Sequence, residues 1–288
     1  MVFWRIIDNK LYPVQEVENL GFEESEGLRI PDEYLENQEF LIMRTCHGIG
    51  DWGVISAMPR LLKEKYPNCK IYIPSEKLIF DLFQINHQNS INIFKNNPYI
   101  DRFVDKMKGE VFHDQYRIYN KENLDVPLIE QILTFWQFEE KEYKDSQPEL
   151  YWSKEEQELG DSIIKEYCNS KFGCLLLSDR FGTQCGKFDN DTFERDTNNI
   201  TKVLKENPLP YFYWSTKPLK ETSFDFIDKA LDMRHIDLRI QLYIKSKAKL
   251  NISNQCGTNH LVVRYSECVE SQRQFPIGSN LVKQINYI

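Results

Sequence analysis

No run of about 18 apolar residues occurs in this 288-residue chain, so the sequence holds no segment long enough to cross a bilayer as a helix. Basic stripes are missing as well. The chain carries 44 acidic residues against 36 Lys and Arg, a net charge of −8 and a pI near 5.3, which excludes the electrostatic footprint of a nucleic-acid binder. That balance does not repel a phosphorylated ligand, provided a few local cations and backbone N–H groups meet it. The seven cysteines, at positions 46, 69, 168, 174, 185, 256 and 268, are odd in number and form no C-x-x-C. A reduced, cytoplasmic chain without a zinc site is the expectation. The opening stretch MVFWRIIDNKLYPVQ interrupts its apolar residues with charge and lacks a small-residue cleavage site, so it does not read as a secretory leader. Walker A, G-x-S-x-G, low-complexity tracts and short-period repeats are all missing.

What is present is an alternation of elements. Hydrophobic residues at 41% and charged residues at 28% give the balance of a soluble globular protein, and the length suits two domains. Residues 1–38 read as an N-terminal extension, with a hairpin turning at Asp8-Asn9 and then an acidic loop. From residue 39 the pattern becomes strand, helix, strand. EFLIMRT is a buried-type strand, and Val54, Ile55, Met58, Leu61 and Leu62 recur at helical spacing up to the stop at Pro67-Asn68. KIYIPS, SINIFKN and VFHDQYRIYN read as further strands, EKLIFDLFQI and VPLIEQILTFWQF as helices. The alternation restarts near residue 150. A helix opens at Ser153 with Glu156 three residues on, a capping-box spacing. GCLLLSD, YFYWST and LNIS read as strands; helices are expected at about 191–206, from about Ser223, over IDLRIQLYIKSKA and from GTNHLVVRYS. The expectation is an α/β protein of two Rossmann-like domains, 39–150 and 151–288.

The stretch FLIMRTCHGIGDWGVIS places Gly48, Gly50 and Gly53 around one carboxylate, Asp51, just past an apolar strand. Open α/β sheets bind ligands at that edge. Three readings compete. The letters match G-x-G-x-x-G, with Glu76 after the second strand where a ribose-binding acid would stand, so an NAD(P)-dependent oxidoreductase is one. A carboxylate and the bulky Trp52 beside a pyrophosphate weigh against it. Asp51 as a simple helix cap is the second. The third is a loop that presents a catalytic base.

The third reading draws on a resemblance. LIMRTCHGIGDWGVISAMPRLLKEKYPNCKIYI resembles the N-terminal segment of glycosyltransferase family 9, the heptosyltransferase-like group, at Gly50-Asp51, Pro59, Leu62-Lys63, Tyr66-Pro67 and Lys70 to Ile73. Asn97, Pro98 and Asp101 resemble a later segment of the same family. The resemblance implies a GT-B fold with two Rossmann-like domains facing a central cleft, and Asp51 as the catalytic base in a loop with His47, Gly48 and Gly50. In the second half, NQCGTNHLVV resembles the family's donor loop, with Gly257, Thr258 and His260 in place and Gln255 where an acid usually stands. The resemblance further implies donor contacts from Lys187, with Arg180 as its rival, and from Glu221. Set beside these roles are plainer ones: solvated loop charges for Lys187 and Arg180, and a hydrogen-bonded helix residue for His260.

The remaining constellations are weak. Cys46-His47 are adjacent and point apart; His113-Asp114 and His235-Ile236-Asp237 lack a third ligand at metal spacing. No Asp-x-Asp ends a strand, which disfavours a metal-dependent GT-A enzyme. The resemblance therefore implies a metal-independent, inverting glycosyltransferase without a cofactor. Its nucleotide-diphospho-sugar would be the co-substrate, and its acceptor a glycan or a lipid- or protein-linked sugar. The alternatives are the oxidoreductase and a degenerate GT-B protein that binds without turnover.

Overall fold

The computed structural model describes residues 4–7, 10–13, 36–44, 48–84, 86, 88–106, 110–113, 129–130, 133, 138–139, 145–177, 190–215, 230–254, 257–271 and 283–284. The chain divides into two compact units, Met1–Tyr151 and Trp152–Ile288.

The first unit is built on one six-stranded sheet. Its parallel part holds β3 (Glu39–Met43), β4 (Lys70–Pro74), β5 (Arg102–Val104) and β6 (Glu110–His113), in the order β6-β3-β4-β5. β1 (Trp4–Ile7) and β2 (Lys10–Pro13) form the expected hairpin, with Ile7 opposite Lys10 and two residues between them. The hairpin is no separate appendage: β1 pairs antiparallel with β6 and extends the sheet. Phe40, Leu41, Ile42 and Met43 are all buried, as expected of a strand covered on both faces.

Two local expectations need correction. The helix read from Asp51 to Tyr66 is two helices, α1 (Ile49–Val54) and α2 (Met58–Lys65), broken at residues 55–57. Pro59 lies in the first turn of α2, where its missing N–H costs nothing. The break is pinned by Ser56, whose hydroxyl donates to the Gly53 carbonyl at 2.6 Å and accepts from the Glu149 amide at 2.8 Å. Arg60 follows, with Nε 2.6 Å from the buried Glu149 carboxylate. SINIFKN is not a strand but the short helix α4 (Asn89–Phe94), preceded by α3 (Glu76–Phe83). A short apolar run does not by itself distinguish the two states; the third parallel strand is instead Arg102–Val104.

Asp101 fastens this region. Its Oδ2 accepts from the Ile71 amide at 2.8 Å and from Lys63 at 3.0 Å, and Lys70 lies 3.5 Å from Oδ1. Partial burial alone would raise its pKa, but these donors and cations outweigh that and lower it.

The second unit carries a six-stranded sheet whose strands run parallel throughout. They are β7 (Gly173–Leu177), β8 (Tyr211–Ser215), β9 (Leu231–Asp232), β10 (Leu250–Ser253), β11 (Glu267–Glu270) and β12 (Lys283–Gln284), in the order β12-β11-β10-β7-β8-β9. Numbered within the unit that order is 6-5-4-1-2-3, the doubly wound dinucleotide-binding order read from its far edge. β11 and β12 belong to the tail, where no element was expected. Alternate residues of β7 and β8 enter two cores. Leu175, Leu177, Tyr211 and Tyr213 meet Ile200 and Leu204 of α6 (Asn190–Glu206). Cys174, Phe212 and Trp214 meet Ile240 and Ile244 of α7 (Leu238–Lys247). The period of two thus buries both faces of the sheet.

The capping box forms as its spacing demands. In α5 (Lys154–Tyr167) the Ser153 hydroxyl accepts from the Glu156 amide, and the Glu156 carboxylate accepts from the Ser153 amide at 2.8 Å. The same carboxylate takes two hydrogen bonds from the buried Arg239 guanidinium, at 2.6 and 2.9 Å. VPLIEQILTFWQF is helical at residues 129, 130 and 133. Residues 126–128, 131–132 and 134–137 of that stretch, the end of VFHDQYRIYN past His113 and the helix expected from Ser223 lie outside the described residues.

Glu156→Ala removes the reciprocal bond of the capping box and takes the Glu156 carboxylate away from a buried Arg239. Breaking a buried pair costs about 3–5 kcal/mol, so the urea midpoint should fall sharply; an unchanged midpoint would show that the pair carries no stability. Asp101, with its folded pKa depressed, adds stability that is present above about pH 4 and is lost as pH falls through the lower folded value. Asp101→Asn should therefore be less stable than wild type at pH 7, with the gap closing in acid when melting temperatures are compared.

Candidate functional site

In both units the first parallel strand sits inside the sheet, and its neighbours leave on opposite sides: β4 and β6 flank β3, and β8 and β10 flank β7. Such a reversal opens a crevice past the carboxyl ends of those strands. The segment after β3 leads to Gly48 and Asp51; the segment after β10 leads to Gly257.

On the first side, Gly48 is the N-cap of α1, and its carbonyl accepts from the Asp51 and Trp52 amides at 3.1 and 3.4 Å. The N-cap is Gly48 and Asp51 stands at the third position of the helix, which corrects the simple-cap reading. Its carboxylate does two other things. Oδ1 lies 3.5 Å from Nη2 of Arg44, a buried guanidinium just past β3. Oδ2 folds back over Gly48, within 2.3 Å of where a Cβ on that residue would stand. Glycine at residue 48 leaves open the space that the carboxylate fills.

This arrangement also disfavours the pyrophosphate cradle. Gly50 and Gly53 are buried inside α1, Trp52 is fully buried among core residues, and the open space over Gly48 already holds a negative charge. Asp51 keeps 22% of its side chain exposed while Arg44 keeps 3%, so Arg44 holds the carboxylate from the protein side and the opposite side meets solvent. His47 and Cys46 lie outside the described residues.

On the second side, Gly257, Thr258 and His260 fall in α8 (Gly257–Val262). His260 is buried, with Nε2 3.2 Å from Glu270 Oε2 at the end of β11. The other Glu270 oxygen accepts from the Ser253 hydroxyl at 3.4 Å, and Ser253 in turn accepts from Asn259 at 2.8 Å. Lys245 of α7, 2% exposed, donates to Thr258 Oγ1 at 2.9 Å and Asn259 Oδ1 at 2.7 Å. Lys187, Arg180, Glu221 and Gln255 lie outside the described residues.

Sequence reasoning missed Arg44, Lys245 and Glu270. Arg44 is a lone cation closing an apolar run, Lys245 sits in LYIKSKA like a surface lysine, and Glu270 lies in a tail that showed no periodicity. Only the tertiary pairing singles them out. Of the weak metal fragments, Asp237 caps α7 by accepting from the Arg239 amide at 2.9 Å and His235 is exposed, while Asp114 lies outside the described residues. Among the described residues no group of three or more His, Cys, Asp and Glu could hold a metal ion. Burial pushes the Cys69 thiol up to about 11 and Cys268 to about 12, so neither supplies a thiolate nucleophile at neutral pH. No helix among the described residues is long and apolar enough to cross a membrane.

No protein-family model matches the chain, and no curated protein matches it in sequence. Solved structures do match in fold. A glycosyl transferase family 9 protein from Veillonella parvula DSM 2008 is similar at a TM-score of 0.55 and 9% identity, over 87% of this chain and 86% of that one. The chain has a GT-B fold. Looser likenesses include the E. coli ADP-heptose lps heptosyltransferase II (TM-score 0.41, 10% identity, 87% and 91% of the two chains). E. coli heptosyltransferase WaaC with ADP is another (0.45, 9%, 85% and 92%). These structural neighbours of the GT-B chain are glycosyltransferases. At such identities the likeness speaks for the fold, and the site rests on its own geometry.

Gly48→Ala tests that geometry. The backbone at Gly48 has φ −74°, which alanine adopts freely, and the atom in the way is the far end of a flexible side chain. Stability should change by less than about 1 kcal/mol, while the carboxylate is driven off its position over residue 48. A crystal structure of the variant with the Asp51 carboxylate unmoved would refute the close approach.

Proposed function

We propose that this GT-B protein is an inverting glycosyltransferase that moves a sugar from a nucleotide-diphospho-sugar to a hydroxyl acceptor, with Asp51 as the base. The observation that carries the reading is the partly exposed Asp51 carboxylate at the switch point of the first sheet, paired through Oδ1 with Arg44 and folded through Oδ2 over Gly48. A base must be oriented, partly shielded and within hydrogen-bond reach of the proton it takes. A buried guanidinium behind the carboxylate supplies the orientation, and Gly48 supplies the room.

The chemistry is a direct displacement. The acceptor oxygen bonds to the anomeric carbon as the carbon–oxygen bond to the diphosphate breaks. The acceptor proton passes to Asp51 Oδ2, and the electron pair leaves with the nucleoside diphosphate. The donor is assigned to the second unit, at Gly257, Thr258 and His260, with Gln255, Lys187, Arg180 and Glu221 as further contacts. The leaving charge is met by protein donors, so the scheme uses no metal and no cofactor. The acceptor class is a glycan or a lipid- or protein-linked sugar.

A thermal-shift screen against ADP, UDP, GDP and CDP is the first test: one should stabilise the protein, by about 2.7 kcal/mol at a hundredfold its Kd. Asp51→Asn is the second. Turnover should drop about 10²–10⁴-fold with diphosphate affinity intact. Because Arg44 loses its carboxylate, some stability is lost as well, less than the full cost of a buried pair since Asp51 is partly exposed. A folded Asp51→Asn protein with full turnover would remove Asp51 from the mechanism. Diphosphate binding by a wild type that transfers no sugar would mark a binding protein instead.

A further inference from the structure

The polar side chains behind Gly257 form a directed chain. The Lys245 ammonium donates to Asn259 Oδ1, Asn259 Nδ2 to Ser253 Oγ, and the Ser253 hydroxyl to Glu270 Oε1, while His260 Nε2 faces Glu270 Oε2. Hydrogen bonds aligned in one direction polarise one another in a low-dielectric interior. The chain therefore has a positive end under Thr258 and Asn259 and a negative end turned toward His260. Among the described residues no carboxylate lies within ion-pair distance of Lys245, whose partners are two neutral oxygens. An ammonium buried to 2% exposure without a direct counter-charge is costly to a folded protein. Helix α8 has only six residues and few aligned peptide dipoles, so it brings little positive potential of its own.

We propose that Lys245 is a positioning residue for an anionic ligand. Clamped to Thr258 and Asn259, it orients the first turn of α8 and supplies from beneath the positive charge that a nucleoside diphosphate meets at Gly257. This rests on the assignment of the donor to the second unit. Lys245 does not touch the ligand; it acts through the two side chains it holds and through its field. That accounts for a charge retained in the interior where an apolar residue would pack at less cost.

The test titrates wild type, Lys245→Gln and Lys245→Met with ADP, UDP, GDP and CDP and with the matching nucleosides, alongside thermal melts. Lys245→Gln keeps donors toward Thr258 and Asn259 without the charge. Both variants should lose about tenfold or more in diphosphate affinity while nucleoside affinity holds. Asn259→Asp, which leaves an oxygen on the ammonium but cancels its charge, should repeat the selective loss and decides the matter if the Lys245 variants do not fold. Equal losses for diphosphate and nucleoside, or none, would make Lys245 merely structural and overturn the proposal while the donor assignment stands. A folded wild type that binds none of the four diphosphates would overturn the donor assignment, and this proposal with it.

Discussion

Parallel pairing of the first parallel strand of each unit with the fourth, β3 with β6 and β7 with β10, is the constraint on which the rest depends. A parallel neighbour cannot be reached by a tight turn, so every connection must cross over a face of the sheet. Once the first strand has its second on one side and its fourth on the other, the connections leave in opposite directions, and the segments past their carboxyl ends are the ones with open space in front of them. Asp51 and Gly257 both follow strands of those pairs. Their candidacy follows from topology before any side chain is considered.

The interior then decides which side chains can act. Two buried charges among the described residues are matched at close range: Arg239 by Glu156, and Glu149 by Arg60. Such pairs hold elements at a fixed distance, since separating one leaves a charge in a medium that does not solvate it. Arg44 and Asp51 are different, because the cation is buried and the anion is partly exposed. That asymmetry is what a presented carboxylate requires. Lys245 is different again: its ammonium donates to two neutral oxygens, and among the described residues no carboxylate lies within ion-pair distance of it.

Tight backbone approach recurs wherever these groups are assembled. A Cβ at Gly160 would come within 2.2 Å of the Tyr243 ring, and Tyr243 donates to Asp161 at 2.9 Å, so α5 and α7 close on each other only across glycine. Gly173 admits the Tyr211 ring in the same way at the start of β7. Neither glycine has the punctuating position of a turn, and nothing local marks it; the neighbour that needs the space comes from a distant part of the chain.

What the sequence by itself determined was set by short-range chemistry. The apolar run at 40–43 read as a strand covered on both faces, Ser153 and Glu156 cap one helix because they are three residues apart, and Gly50-Asp51 past a strand marked a candidate site. Alternation of strand and helix was enough for two Rossmann-like units. Tertiary structure alone decided the rest. SINIFKN had strand composition but became α4, and the helix after Asp51 broke at Ser56, because packing and the hydrogen bond from Glu149 outweigh local preference. Glu270 meets His260 because parallel register places Glu270 beside Ser253. Lys245 meets Asn259 through the packing of α7 on α8, across a separation of 14 residues. Pairings of that kind leave no trace in spacing or composition, since the energy that selects them is released only when remote segments exclude water together.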